Sequence, residues 1–209
     1  MRLSNGEALL KWPLDYHVIT AGFYYNDGSH HGAIDLRTKQ NNSIVKPVYA
    51  AEDMVIDQVQ YWDGKTKTGM QSYGNMIRGK HANWDNKSLQ TRYAHLSQIL
   101  VKYGQHVKEG DIIGYTGDTG NTFGAHLHFE VIYNGIKTNP LVWLDNNFTL
   151  ASSGVYTFGA GEHSVVIPSN DMPSVKLYKF SVQDMTKGDT DSFVALAKKL
   201  SLTYTVKEV

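Results

Sequence analysis

Short stretches rich in β-branched and aromatic residues alternate with clusters of Gly, Asn and Asp along the first two thirds of the chain. No long segment there repeats its apolar positions at a helical period, so the pattern is that of a mainly β protein to about residue 145. Strands are expected at Val18–Ala21, Ile34–Leu36, Pro47–Ala50, Met54–Tyr61, Asn75–Gly79, Leu89–Tyr93, Asp111–Tyr115 and His126–Tyr133. A brief helix is expected at Ser97–Tyr103, after a loop at His95. Glycines at 104, 110, 114, 117, 120 and 124 supply the backbone freedom that tight turns and bulges need.

The pattern changes near residue 150. Trp143 and Phe148 suit a closing contact on a core, and the following Ala151-Ser152-Ser153-Gly154 is small and polar. Residues 1–150 are therefore expected to form the main domain and residues 151–209 a small α+β appendage. In that appendage Val155–Phe158 and Val165–Ile167 are expected to pair as a hairpin. Val175–Val182 and Leu202–Glu208 read as strands and Asp191–Leu200 as a helix.

The 209 residues carry 20 Lys plus Arg against 20 Asp plus Glu. With a formal net charge of zero and a pI near 7.1, the chain has no long-range attraction for a polyanion, and nucleic acid is not expected as a partner. No apolar run approaches the roughly 20 residues of a membrane helix, so no membrane insertion, leader or anchor is expected within the chain as it stands. There is no cysteine. A disulfide framework, a thiolate metal site and a Cys nucleophile are thereby excluded, and any metal has to be held by His, carboxylate or other oxygen ligands.

Nine histidines are available, and their grouping is informative. In His126-Leu127-His128 on a strand, His126, His128 and Glu130 share one face while Leu127 and Phe129 enter the other. Two imidazoles side by side suit a metal site in which one binds the ion and its neighbour handles protons. In His31-Gly-Ala-Ile-Asp35 a His and a carboxylate are four residues apart, about 13 Å in a straight strand. To share an ion they require a bend, which Gly32 permits. Two His and one carboxylate form a usual catalytic zinc set, with a fourth position left for water. His95, in Tyr93-Ala94-His95-Leu96-Ser97, suits a proton relay beside such an ion. Each pattern alone is more often incidental than functional; their conjunction in one Gly-rich β domain without Cys carries the argument. His17, His81, His106 and His163 read as surface or loop residues, and the spacing to Asp35 favours His31 over His30.

These residues resemble the lysostaphin/LytM-type zinc metallopeptidases of bacterial cell-wall peptidoglycan. The resemblance spans roughly Trp12 to Leu144. It runs through Ile19-Thr-Ala-Gly-Phe-Tyr-Tyr25, His31-Gly-Ala-Ile-Asp35, Lys46-Pro-Val-Tyr-Ala-Ala51, Tyr73-Gly-Asn-Met-Ile77, Tyr93-Ala-His-Leu-Ser97, Val107–Gly117 and Thr119–Glu130. It implies a flattened, barrel-like antiparallel β metallopeptidase domain, zinc as cofactor, a peptidoglycan peptide as substrate, and hydrolysis of a cross-link or stem peptide bond. Carried over, it makes His31, Asp35 and His128 the metal ligands and His95 and His126 the catalytic pair, with Tyr25 (or the adjacent Tyr24) steadying the oxyanion. Glu130 is then either a partner of His126 or His95 or a solvated strand residue. Ala33 and Asp53-Met54 depart from the family's usual glycines and put local turn shape in question. The segments Tyr61–Ser72 and His81–Ser88, with Trp62, Tyr73 and Trp84, are expected to wall a groove.

Three other readings compete. One is an inactive relative that binds wall or activates another hydrolase; retention of all five polar residues opposes it. A lipoyl or biotin carrier lacks its Lys-centred hairpin tip here, and a zinc carboxypeptidase would differ in its products. The substrate lies outside the cytoplasmic membrane, so a chain without a leader suggests a phage or prophage lysin, a tail-associated enzyme or a fragment of a larger protein.

Overall fold

The computed structural model describes residues 8–25, 28–38, 45–145, 147–150, 155–156 and 165–166. The strands are β1 (Val18–Ala21), β2 (Ile34–Arg37), β3 (Pro47–Tyr49), β4 (Met54–Gln60), β5 (Asn75–His81), β6 (Leu89–Ile99), β7 (His106–Val107), β8 (Ile112–Thr116), β9 (His126–Tyr133), β10 (Ile136–Thr138) and β11 (Thr149–Leu150). They form one sheet in the order β11-β1-β2-β9-β6-β5-β4-β7, with β10 on β9 and the β3–β8 pair on β6. The sheet does not close on itself. All pairings are antiparallel except β1 with β11. No helix among the described residues is long and apolar enough to cross a membrane.

Strand positions follow the apolar pattern closely, because alternation is a local property of the chain. The expected helix at Ser97–Tyr103 is not present. β6 instead runs on to Ile99, pairing Leu96 with Thr116, Gln98 with Tyr115 and Ile99 with Gly114. A helix there would leave the β8 edge without partners. Gly114 permits the approach, since a Cβ at that position would meet the Gln98 carbonyl oxygen at 2.6 Å. His95 is likewise not in a loop after a strand. β6 changes partner at this residue, from β9 along Leu89–Ala94 to β8 along Leu96–Ile99. The bend is made by His95 itself, at φ +62°.

One face of the sheet holds the core, built on Ile34, Leu36, Tyr93, Leu127 and Phe129, all fully buried. Trp143 is buried against it and Phe148 packs at its edge, as expected for the closing segment. Ala33 is fully buried as well, so the departure from glycine there places a methyl group in the core. In the C-terminal part, β12 (Val155–Tyr156) and β13 (Val165–Val166) pair antiparallel, as expected for the hairpin. The strands at 175–182 and 202–208 and the helix at 191–200 lie outside the described residues.

Candidate metal centre

Three strands bring the site together. Asp35 on β2 stands directly opposite His128 on β9, and Arg37 opposite His126. His128 in turn faces Ala94 on β6, which sets His95 at the start of the bend. His31 lies before β2, and Gly32 at φ +77° supplies the turn that the four-residue spacing requires. A Cβ at Gly32 would meet Lys137 Cδ at 2.9 Å and His30 Cε1 at 3.0 Å.

The bend carries His31 Nε2 to 3.3 Å from Asp35 Oδ1 and 3.1 Å from His128 Nδ1. His128 Nδ1 is 3.1 Å from the same carboxylate oxygen. Ligands about 2.0–2.1 Å from a tetrahedral zinc stand roughly 3.3 Å apart, so the triangle has the dimensions of a zinc face. The donors agree with that size. His31 Nδ1 is 2.7 Å from the Gly22 carbonyl, and His128 Nε2 is 3.2 Å from Glu130 Oε1. Those partners take the ring N–H and leave His31 Nε2 and His128 Nδ1 as lone pairs directed at a carboxylate. Three acceptors converge on one point, an arrangement that calls for a cation. His31, Asp35 and His128 are also the one group of His and acidic residues with metal-holding geometry among the described residues. The residues present therefore fit a zinc ion.

Electrostatics lead to the same conclusion. When protons rather than a metal ion occupy the site, burial opposes ionisation of Asp35, but hydrogen bonds from His128 and His31 outweigh it and hold the carboxyl well below the usual carboxylate range. Burial likewise disfavours the His128 imidazolium, yet Asp35 and Glu130 raise its pKa above the ordinary value. The pocket demands positive charge at this point, from a proton or from a metal ion, and the two compete.

The remaining histidines flank the triangle. His95 and His126 have ring centroids 4.8 Å apart. His95 Nδ1 is 2.7 Å from the Thr119 carbonyl and His126 Nδ1 is 2.8 Å from that of Gly124, so each ring keeps Nε2 as its acceptor. His126 Nε2 is 3.6 Å from Asp35 Oδ1. Burial, reinforced by the neighbouring His126 and His128, pushes His95 down to about 4, which leaves it neutral at pH 7. Tyr25 stacks on His31 at 4.5 Å and lines the cleft, whereas Tyr24 pairs with His30 beside it.

Glu130 is neither of the two things the sequence suggested. It is fully buried, and its partner is His128 rather than His126 or His95. Arg92 Nη1 at 2.7 Å, Lys137 Nζ at 2.6 Å and Tyr73 Oη at 3.0 Å complete its surroundings. Burial raises its pKa, but His128, Arg92 and Lys137 together bring it down to about 2. Tyr73 also lays its ring edge-on to His128 at 5.7 Å and under the Arg92 guanidinium at 4.7 Å.

The cleft over these groups has a volume of about 660 Å³. Tyr73 and Ser72 line one wall, as expected. Trp62 instead hydrogen-bonds within its own loop to the Thr66 carbonyl, and Trp84 packs on the core. The other wall is Asn121–Ala125, including the fully exposed Phe123, which composition gave no reason to single out. His81, read as a surface residue, is buried between the Asp53 carbonyl and Thr91 Oγ1, at 3.0 and 2.8 Å. His17 stacks on Trp12 and His106 is exposed on β7. His163 lies outside the described residues.

The profile of peptidase family M23 matches residues 29–140, which contain the whole histidine constellation. The chain is 34% identical over 139 residues to the peptidoglycan DD-endopeptidase ShyC of Vibrio cholerae, covering 64% of this chain and 29% of that protein. It is 35% identical over 134 residues to the murein hydrolase activator NlpD of Salmonella dublin, covering 64% of this chain and 31% of the other. Its fold is similar to the crystal structure of a zinc-containing peptidase from Vibrio cholerae, with a TM-score of 0.51, 32% identity, and coverage of 64% of this chain and 39% of that one. The chain thus spans less than a third of the length of these two sequence relatives.

Proposed function

The chain belongs to peptidase family M23, and from that membership together with the geometry above we propose that it is a zinc metalloendopeptidase hydrolysing peptide bonds in bacterial peptidoglycan cross-links or stem peptides. The observation that carries this reading is the His31, Asp35 and His128 triangle with the His95 and His126 imidazoles beside it. A zinc ion held by those three residues would supply Lewis acidity, acidifying a water and polarising a carbonyl.

The chain's own residues do the rest. His95 and His126 have Nδ1 engaged by backbone carbonyls and turn Nε2 to the cleft, so one accepts there the proton released by the attacking water. The imidazolium formed then delivers that proton to the leaving amine. Tyr25, held flat against His31, is assigned to the oxyanion of the tetrahedral species. Asp35 and Glu130 balance the positive charge. Glu130 also fixes the ring of His128 so that Nδ1 faces the metal point.

The substrate assigns a place of action outside the cytoplasmic membrane. A phage origin has no support in the relatives above and is not needed by the reading. The likeness to a murein hydrolase activator favours a second reading, a wall-binding or hydrolase-activating module without activity of its own. Digestion of purified peptidoglycan separates the two, run with and without chelator and with His128→Ala, and with products identified by mass spectrometry. Chelator-sensitive release of new peptide amines, lost in the variant, is the expected result. A chain that binds a full equivalent of zinc and releases nothing from any wall type would be the activator.

A further inference from the structure

The cleft carries one cation with no charged partner among the described residues. Arg37 follows Asp35 by two positions on β2, so its side chain leaves the sheet on the Asp35 face while Leu36 enters the core. It is exposed and lines the cleft. Directly across the strand pair is His126, which puts the two Cβ atoms roughly 5 Å apart.

The other charges of the cleft are committed. Asp35 faces His31 and His128, while Lys137 is 2.6 Å from Glu130 and 3.0 Å from Tyr73. Arg92 is buried against Glu130. Among the described residues, three side-chain cations thus meet two carboxylates around the metal point, and Arg37 is the one that faces neither. An exposed guanidinium beside the reacting groups makes no packing contribution to the core. Its planar fork matches a carboxylate through two parallel hydrogen bonds.

We propose that Arg37 is a specificity-determining residue that binds a carboxylate left free beside the scissile amide, so that the site prefers a cross-linked peptide carrying that carboxylate to the same peptide with it amidated. This rests on the cleft being a peptide site, as argued above, and names what that site selects.

The test reads binding, with turnover blocked. Zinc-loaded protein carrying His95→Ala, with His126→Ala as a second parent, is titrated with a D-alanyl-diaminopimelate cross-linked peptide. The peptide is used with the carboxylate beside the amide either free or converted to the primary amide. The acid form is expected to bind about tenfold more tightly, as a charge-assisted pair would give. Adding Arg37→Gln should bring the two forms within about twofold, and Arg37→Lys should keep part of the preference. Equal binding of the two forms, binding of neither, or a preference that survives Arg37→Gln overturns the assignment. A chain that selects the acid form but leaves every wall uncut refutes the endopeptidase reading and keeps this one. A chain that cuts walls and binds both forms alike does the reverse.

Discussion

Glu130 Oε1 lies 3.2 Å from His128 Nε2, on the ring edge opposite the one that meets Asp35 at 3.1 Å. The imidazole is clamped between two carboxylates, and only one of them faces the metal point. Glu130→Gln is therefore expected to lower zinc affinity about 10- to 100-fold while the triangle itself stays intact. Glu130→Ala also strands the buried Arg92 and the half-buried Lys137, and is expected to cost about 3 kcal/mol of stability. Competitive chelator titration and denaturant unfolding of the two variants measure each effect. Unchanged zinc affinity in Glu130→Gln would count against the clamp.

The five polar residues divide into two groups that behave differently on substitution. Asp35→Asn and His128→Ala are expected to lose both zinc and activity. His95→Ala and His126→Ala are expected to keep a full equivalent of zinc and lose roughly 10²- to 10⁴-fold in kcat. Metal analysis of each variant beside its rate of peptide release decides the division. Loss of zinc in His95→Ala would move that residue into the ligand set.

Gly32 is the hinge of the site. At φ +77° any L side chain is strained, so Gly32→Ala is expected to cost about 1–2 kcal/mol. Lys137 at 2.9 Å is tethered to Glu130 and Tyr73, so crowding adds to the backbone strain. Because His31 is the residue just before it, zinc affinity should fall along with stability. Thermal unfolding and zinc titration of one sample measure both.

His81 is expected to make stability pH-dependent away from the metal. Burial lowers its folded pKa to about 4, against an ordinary value near 6.5. Between those values the unfolded chain takes up a proton that the folded chain refuses. Its contribution is therefore complete above about pH 6.5 and is lost as pH falls toward 4, by about 3 kcal/mol in all. Unfolding of chelator-treated protein across this window should show a steeper acid loss than unfolding of His81→Gln. Parallel curves would mean that His81 is protonated in the fold.

The sharing of a face by His126, His128 and Glu130, and the need for a bend at Gly32, were legible because each follows from geometry within a few residues. So were most strand positions. The Ser97–Tyr103 helix and the loop at His95 were misread because the partner that keeps β6 extended, β8, lies across the sheet. His81 looked like a surface residue because its burial comes from Asp53 and Thr91, neither of them adjacent in sequence.

By itself, the sequence determined which side chains each strand presents and which chemistry they offer, since alternation and turn freedom are properties of neighbouring residues. The tertiary structure decided that Asp35 meets His128 across 93 positions of chain. It also decided that Glu130 is a clamp rather than a solvated acid, and that Arg37 has no charged partner among the described residues. Those outcomes depend on strand register and on the competition of charges for partners, which arise only when distant segments pack together.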